Sequence, residues 1–434
     1  MPPAGQPAAA APESEASSTG SLNGSFGPDG FTLQSADGQN VIHIRGNLSL
    51  DYRRFEDSYT PSTADGFLVR KARPTLEGTL AGMFDFRLMP DFAQGKTVLQ
   101  DAWVAARIEK WLAFQIGKFK SPVGLERLQL EEFSRFIEAS LTSDLLPYRD
   151  IGLEVRGDIA QGLLSYQLGV FGGAPDGQST DSNSTPDFGL SGGRFVWSGR
   201  LFARPFQRSE WRALNALGIG IAATYVNASG TTTTASTTSL LANYKTTGQQ
   251  ALLSYRGNSA VDFNNATIAD GIERRLVPQA YYYIGRFGLL AEYVQAKQQV
   301  FRQLSATSSR SATLDNRAWQ VQGYLFLTGE QETYDRPVVP RRSIAQGGIG
   351  AWEIVARYHD LRFDEAAFVG GAGSFANPAT AVRHARAIGV GINWYLVRNV
   401  RIQLDFEQTR FEGGASNGNR PDERALTSRF MLEF

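Results

Sequence analysis

Three residues that could hold an anion stand close together at positions 118–121. Lys118, Lys120 and Ser121 follow a strand-like run that ends in Gln115-Ile116-Gly117. Two ammonium groups and a hydroxyl supply positive charge and hydrogen-bond donors. Because the segment that they open, about 118–149, is long and follows a strand, we expect it to be an inward-folded constriction loop.

The long stretch that these residues open, about 118–149, mixes both signs of charge. Arg127, Arg135 and Arg149 are further candidates for anion binding. Carboxylates near an anion path speed the release of a tightly held anion, or they indicate that another solute is carried. The acids of this stretch are Glu126, Glu131, Glu132 and Glu138.

Composition excludes several other kinds of chemistry. The 434 residues contain no cysteine and three scattered histidines, so we expect no metal site and no cofactor. His359 and Asp360 are sequence neighbours, which point to opposite faces of a strand and form no acid–base dyad by themselves; we therefore expect no enzyme. Lys and Arg together number 43, and Asp and Glu together also number 43, so the formal net charge is zero. The absence of a basic excess argues against nucleic-acid binding.

Alternating hydrophobicity must supply the elements that position these residues. From Val41 to Arg53, apolar side chains at even positions alternate with polar ones at odd positions. A period of two over a dozen residues predicts a strand with one apolar and one polar face. The pattern recurs along the chain, and no apolar run reaches the ~18 residues of a transmembrane helix.

Charged residues lie at the middle of the polar faces of the candidate strands, and their position indicates the architecture. Strands of around ten residues cross a bilayer when they are tilted, and a closed barrel puts lipid outside and water inside. We predict an all-β, antiparallel transmembrane barrel; an array of soluble β-sandwiches is the alternative. Seventeen candidate strands start near residues 41, 67, 83, 98, 111, 150, 163, 193, 215, 249, 275, 287, 316, 349, 384, 399 and 424. Because bacterial single-chain barrels have even counts, we predict 16, with 249–256 the weakest candidate.

Phase along the strands predicts which charges face the lumen. A line of cations in a water-filled pore lowers the barrier for an anion. Acids share the same faces, so a net basic constriction and a mixed, weakly selective one both remain open. The inward cations are Arg45, Lys71, Arg73, Arg87, Arg107, Arg156 and Arg200, and the acids are Asp51, Glu77, Asp85, Asp101, Glu154 and Asp158.

Loop lengths and the two termini complete the prediction. Tight links near 81, 109, 286 and 398 alternate with long polar segments at 54–66, 120–149, 172–192, 227–247, 298–315 and 412–423, as in barrels with short periplasmic turns and long outer loops.

Residues 1–30 are expected to be a disordered tail without an intact signal peptide, any signal having been removed, and residues 31–434 the barrel. Leu426, Phe430, Leu432 and Phe434 share one face, and this ending resembles the outer-membrane assembly signal.

Several stretches together resemble the phosphate-selective porin O and P family over about residues 31–434. The resemblance implies a trimer of 16-stranded barrels in the bacterial outer membrane, each with a basic constriction. It also implies that the Lys- and Ser-bearing segment binds the anion, and Lys118, Lys120 and Ser121 match it. The stretches are Lys118–Glu126, Tyr148–Gly152, Leu327–Glu330, Gly350–Tyr358 and Gly391–Leu396.

The expected function is the passive passage of small anions, with phosphate or polyphosphate the leading candidate. A weakly selective channel for other solutes such as carboxylates is one alternative, and a structural or adhesive barrel is another. The expected partners are small anions, outer-membrane lipid and lipopolysaccharide, two further copies of the chain, and the barrel assembly machinery.

Overall fold

The computed structural model describes residues 22–27, 30–56, 65–95, 97–174, 176–177, 195–233 and 236–434. Residues 1–21, most of the expected tail, lie outside the described residues. Among the described residues, no helix is long and apolar enough to cross a membrane. The helical elements are short: α1 (Leu125–Leu128) and the 3-10 turns Ala93–Gly95, Leu141–Leu145, Ala160–Gly162, Arg212–Leu214, Ile344–Gln346, Glu365–Ala367 and Gly371–Gly373.

One antiparallel sheet closes on itself as a barrel. Nineteen described strands belong to the sheet. Three of them lie at its rims, β1 (Leu22–Gly27), β2 (Gly30–Ser35) and β22 (Gly418–Asn419), and the other sixteen form the ring. The ring closes where β23 (Glu423–Glu433) pairs with β3 (Val41–Glu56), with Ser428 opposite Tyr52. Its members are β3 (Val41–Glu56), β4 (Gly66–Leu80), β5 (Phe84–Asp91), β6 (Val98–Glu109), β7 (Leu112–Lys120), β8 (Arg149–Ile159), β9 (Leu164–Phe171), β10 (Val196–Ala203), β11 (Leu217–Ser229), β16 (Thr267–Ile284), β17 (Phe287–Gln303), β18 (Ser309–Phe326), β19 (Ala351–Arg362), β20 (Val382–Val397), β21 (Val400–Ala415) and β23 (Glu423–Glu433).

The predicted count of sixteen strands and their order are confirmed. The weakest candidate, 249–256, contributes only β15 (Ala251–Leu253), which pairs with β14 (Tyr244–Lys245) outside the ring. Leu252 and Leu253 are buried, because this short hairpin packs inside the barrel. The hairpin of β12 (Thr231–Thr232) and β13 (Thr237–Thr238) and the two-residue β22 (Gly418–Asn419) also lie in loops.

The outer face of the ring is apolar, as alternation requires for a lipid-facing surface. Ile219, Ile221 and Tyr225 on β11 are exposed, while Ala222, Thr224 and Val226 between them are buried inside. At the end of the chain, Phe430 and Phe434 are exposed on the outer face. The backbone of Phe434 pairs with Gly46 on β3, so the expected assembly signal lies at the closing seam of the barrel.

One prediction about connections was wrong. Segment 298–315 is no loop: β17 and β18 continue through it and turn within residues 304–308. Here the outward face becomes largely polar while Val300 and Leu314 face the packed interior, so the alternation of apolar outward and polar inward residues is lost. Residues 327–350 form a long segment at the end of the barrel where most connections are short turns.

The N-terminal boundary also differs from the expected one. Residues Leu22–Gly27, assigned to the tail, form β1, which pairs with β2 (Gly30–Ser35). Strand β2 then pairs with β3, placing Phe31 opposite Ile44. The added hairpin stacks along the edge of β3 that β23 leaves uncovered, and Gly30 turns with a φ of 85°.

Candidate anion site in the lumen

The connection between β7 and β8, residues 121–148, lies inside the barrel; we call it the lumen loop. Side chains from distant strands accept hydrogen bonds from its backbone. Ile137 donates to Asp405 of β21 at 2.7 Å, and Leu141 donates to His359 of β19 at 3.0 Å. Glu292 of β17 accepts from the amide of Glu126 at 3.1 Å. The loop is therefore fixed to inward faces on the far side of the ring.

Part of the lumen is dry. On the side of β11 and β16–β20, inward residues such as Val277, Val294 and Leu314 are fully buried against Leu145 and Leu146 of the lumen loop. Segments from the loops 230–266 and 363–381 complete this apolar core. The interior is thus partly filled with packed side chains, and the polar passage is displaced towards the wall formed by β3–β8 and β23.

A second segment enters the lumen from the short-turn end. Residues 327–350, here called the turn-side segment, reach the lumen loop. The Tyr334 hydroxyl donates to the carbonyl of Leu125 at 2.6 Å, and Gln129 donates to the carbonyl of Tyr334 at 3.1 Å. Arg135 forms an ion pair with Glu332 at 3.1 Å. Two segments from opposite ends of the barrel therefore meet inside it.

Between them remains a chamber of about 330 Å³. Its wall carries nearly equal numbers of cationic and anionic groups, so the chamber is mixed and not purely basic. The charged lining residues are Arg45, Arg73, Arg87, Lys120, Arg149 and Arg398, with Glu77, Asp101, Glu131, Glu132, Asp335 and Glu433.

One carboxylate of the lumen loop is surrounded by cations. Glu131 contacts Lys71, and its Oε2 lies 2.6 Å from Arg73 Nη1. Its Oε1 lies 3.5 Å from Arg149 Nη1 and accepts a 2.7 Å hydrogen bond from the Tyr148 hydroxyl. We call these donors, together with Lys120, the Glu131 cradle.

The electrostatics of the cradle favour an anion strongly. Burial by itself would raise the pKa of Glu131, but the charges of Arg73, Lys71, Arg149 and Lys120 outweigh burial and hold that pKa well below its usual range. The ring of Tyr148 lies under the same cations, with the ammonium of Lys120 at 5.5 Å and the guanidinium of Arg149 at 4.5 Å from its centroid. The cradle is therefore an oxyanion site that an internal carboxylate occupies.

A second cluster of the same type lies nearby. Glu138 of the lumen loop lies 2.5 Å from Arg53 and 3.1 Å from Arg70. Burial by itself would raise the pKa of Glu138, but the charges of Arg70, Arg53 and Arg429 outweigh burial and hold that pKa well below its usual range. Cations from β3 and β4 thus hold two loop carboxylates in succession.

The structure brings together part of the predicted set. Arg45, Arg73, Arg87, Lys120 and Arg149 line the chamber, and Lys71 completes the cradle. These residues come from β3–β8, so they lie on the lumen face of neighbouring strands. Five of them form an ion pair with a carboxylate, as Arg45 does with Glu77 at 3.1 Å: Arg45, Lys71, Arg73, Arg87 and Arg149.

The remaining predicted residues lie elsewhere. Lys118 and Ser121 are buried outside the chamber lining, and Ser121 faces a separate cavity of about 40 Å³. Arg127 donates to the carbonyl of Ser143 at 3.0 Å. Arg135 is buried between Glu332 and Glu353, where it ties two segments together.

Three strand arginines of the predicted set are also remote from the cradle. Arg107 lies at the short-turn rim, half-exposed, 2.9 Å from Asp85. Arg200 of β10 donates to Gln279 at 2.9 Å and to Gln167 at 3.2 Å. Arg156 stands opposite Gln167 in the register of β8 and β9.

Sequence reasoning missed the two residues that organise the site. The sequence presents Glu131 only as one of four acids that speed anion release or indicate another solute, and Tyr148 only as the first residue of a stretch that resembles the family. The local sequence carries no signal for either role, because their partners come from β4, β7 and β8. The histidine expectation is confirmed: His359 faces inward, 3.2 Å from Glu407, whereas Asp360 faces outward, 2.7 Å from His384.

A buried acid of the lumen loop predicts how stability depends on pH. Burial raises the pKa of Asp144 from 3.8 to about 7. A folded-state pKa above the unfolded value means that the free energy of unfolding falls as pH rises from about 4 to 7, and this loss then stays constant.

Asp144→Asn, which keeps an acceptor for the amide of Lys245, should raise the thermal unfolding midpoint in detergent at pH 8. We expect the gain to shrink as pH falls from 7 to 4. The exposed Asp262→Asn is the control; an Asp144→Asn gain independent of pH would contradict the assignment.

Known proteins are similar to this chain in sequence. The family model described as phosphate-selective porin O and P matches residues 42–434. Porin O of Pseudomonas aeruginosa is 21% identical over 429 residues, covering 93% of this chain and 91% of that protein.

Solved outer-membrane barrels share the fold. The anion-selective porin from Comamonas acidovorans has a TM-score of 0.53 at 11% identity, covering 91% of this chain and 99% of its own. The trimer form of OmpT of Vibrio cholerae has a TM-score of 0.54 at 10% identity and covers 91% of this chain and 99% of its own. Because the family model spans nearly the whole barrel, the chain belongs to the phosphate-selective porin O and P family of the bacterial outer membrane.

Proposed function

We propose that this porin passes small anions passively and that the Glu131 cradle is the selective step on their path. One observation carries the proposal: Lys71, Arg73 and Arg149 contact a single oxyanion at the wall of the chamber, and the charge of nearby Lys120 also acts on it. The family name and the anion-selective porin from Comamonas acidovorans support the same function. Phosphate or polyphosphate is the leading solute, because guanidinium groups bind phosphate oxygens through paired hydrogen bonds.

The mechanism that fits this geometry is exchange. An entering anion takes over the donors that Glu131 occupies, and the tethered carboxylate later displaces the anion in turn. Cations replace part of the hydration of the anion, while competition by Glu131 keeps the site weak enough for release. A channel needs both properties, since a site that binds too tightly blocks conduction.

A carboxylate solute is the second candidate, and a specific observation favours it. The group seated in the cradle is itself a carboxylate, bound by Arg73, Lys71 and the Tyr148 hydroxyl. A dicarboxylate would reproduce these contacts at one end. Phosphate and carboxylate solutes are therefore compared side by side in the test.

Single-channel recording in a planar bilayer tests the proposal. In a KCl gradient, we expect a reversal potential whose sign shows that chloride permeates more readily than potassium. We also expect phosphate to reduce the chloride current. A stronger block by succinate than by phosphate would favour the carboxylate reading. Zero conductance would overturn every channel reading and leave a structural or adhesive barrel.

Two lysines of the matched segment give a paired prediction. Lys120→Gln should lower the anion-to-cation permeability ratio severalfold and weaken phosphate block, because Lys120 lines the chamber. Lys118→Gln removes the same charge two residues away, outside the chamber lining, and should change the ratio little. If Lys118→Gln has the larger effect, the anion path lies outside the cradle.

The proposed assembly follows the expectations from the sequence. The trimer form of OmpT shows that a barrel of this fold forms trimers, and we propose a homotrimer here as well. The seam residues Leu426, Phe430, Leu432 and Phe434 are proposed as the signal for the barrel assembly machinery. The proposed division is a tail up to about residue 21 followed by the barrel, with the lumen loop as its constriction.

A further inference from the structure

Charge on the outward face of the ring is concentrated at one end. On β3, β16–β21 and β23, outward positions near the long-loop end are basic, and we call them the outer basic band. The outward acids of the same region are fewer: Glu56, Asp270, Asp315, Asp360 and Glu412. The band consists of Arg54, Arg274, Lys297, Arg317, Arg362, Arg386, Arg410 and Arg424.

The band lies at the depth of lipid head groups. Arg317 precedes Trp319 by two residues on the same face, and the ring of Trp319 packs on Tyr358 at 5.1 Å. Two residues of strand span about 7 Å, and aromatic side chains mark the boundary between the apolar belt and water. The guanidinium groups therefore begin where the acyl chains end.

The opposite end of the same strands has no such band. There the outward positions are apolar or aromatic, and Trp352 stacks on Trp394 at 4.9 Å. In barrels of this class the long loops face outward from the cell and the short turns face the periplasm. The outer basic band thus faces the outer leaflet alone.

The outward face of the other arc of the ring, β4–β10, also differs from the outer basic band. Outward residues of β4–β10 are apolar along the described strands. Val69, Leu88, Val104, Leu153 and Leu201 are examples, and each is exposed. The charge is therefore confined to one arc and is not a general property of the rim.

Within the band, cations stand directly opposite cations across neighbouring strands. The register places Arg386 opposite Arg410, Arg317 opposite Arg362, and Arg274 opposite Lys297. Such residues have Cβ atoms about 5 Å apart, and like charges at this distance destabilise a sheet. Glu412, Asp315 and Asp422 offset part of the repulsion. The side chain of Arg410, 3.6 Å from Asp422, nevertheless remains 72% exposed.

We propose that the outer basic band binds the phosphate groups of a phosphorylated glycolipid in the outer leaflet. Arg386 and Arg410 hold one phosphate between them, with Arg362 on the neighbouring strand as a further donor. Guanidinium pairs bind phosphate through parallel hydrogen bonds, and a dianion between two opposed arginines removes their repulsion. The acyl chains of the lipid then lie on the apolar belt below.

Native mass spectrometry of the detergent-solubilised barrel with added bis-phosphorylated lipid A tests the proposal. The variant R362Q/R386Q/R410Q should bind this lipid at least tenfold more weakly than the unchanged chain. Dephosphorylated lipid A should bind both proteins equally weakly. Retention of the heat-modifiable folded form on gels shows that the variant has folded.

A matched control carries the same change in net charge at the opposite end. Arg204, Arg208 and Arg212 lie in the connection 204–216 at the short-turn rim, and R204Q/R208Q/R212Q should bind lipid A as the unchanged chain does. An equal loss in both variants would overturn the proposal in favour of net charge. Undiminished binding by R362Q/R386Q/R410Q, or displacement of the lipid by inorganic phosphate, would also overturn it.

Discussion

Replacement of Glu131 by Gln should increase the affinity of the pore for phosphate at least tenfold. The substitution removes the carboxylate that Lys71, Arg73 and Arg149 share and leaves these cations and Lys120 in place. Asp91 and Asp101 stay paired with Arg73 and Arg149. A unit charge about 5 Å from a passing anion contributes roughly 3 kcal/mol at an effective dielectric constant near 20, and salt screening reduces this value. We therefore expect half-maximal block of the chloride current at a phosphate concentration at least ten times lower, with slower unbinding events. Planar bilayer recording at fixed KCl measures both.

Glu132→Gln is the matched control for this substitution. Glu132 is the next residue of the lumen loop and lines the same chamber. Burial raises its pKa, and the charges that act on it most are Arg45, Arg87 and Glu77, not the cradle cations. Its effect on phosphate block should be clearly smaller. Equal effects of the two variants would show that Glu131 is one lumen carboxylate among several and does not occupy the site.

Replacement of residues 329–348 by a two-residue turn should raise the single-channel conductance severalfold. The turn-side segment fills the short-turn end of the lumen, where Tyr334 stacks on Tyr281 at 4.9 Å and Asp335 and Pro337 line the chamber. Its removal also breaks the ion pair of Arg135 with Glu332, so the lumen loop loses one of its anchors. The shortened link would resemble Gly285-Arg286, which joins β16 to β17. We expect selectivity for anions to fall at the same time, since a wider path weakens every contact.

The connection 204–216 supplies the control for this deletion. It is the other long link at the short-turn end, and its Trp211 is exposed and stacks on Phe206 at 6.1 Å. Shortening residues 206–212 should leave conductance unchanged. If both deletions raise conductance alike, the increase comes from a loosened barrel; if neither does, the turn-side segment does not narrow the path.

The sequence by itself determined the ring. A strand exposed to lipid on one face and to a polar interior on the other must alternate, and this period appears in the residue types without any knowledge of partners. The sixteen strand positions, the position of the long connection after Lys120 and the lumen orientation of Arg45, Lys71, Arg73 and Arg87 followed from it. Where β17 and β18 extend beyond the membrane, the outward face turns polar and the inward face includes Val300 and Leu314, and the prediction of a loop at 298–315 failed for that reason.

Only the tertiary structure decided what fills the ring and which charges meet. Glu131 lies 58 residues from Arg73, and Glu332 lies 197 residues from Arg135, so no local period links them. Acid and base in equal numbers left a basic and a mixed lumen equally open. The answer depends on closing the sheet, because closure brings β4, β7 and β8 around one carboxylate and turns a neutral composition into a local excess of cations.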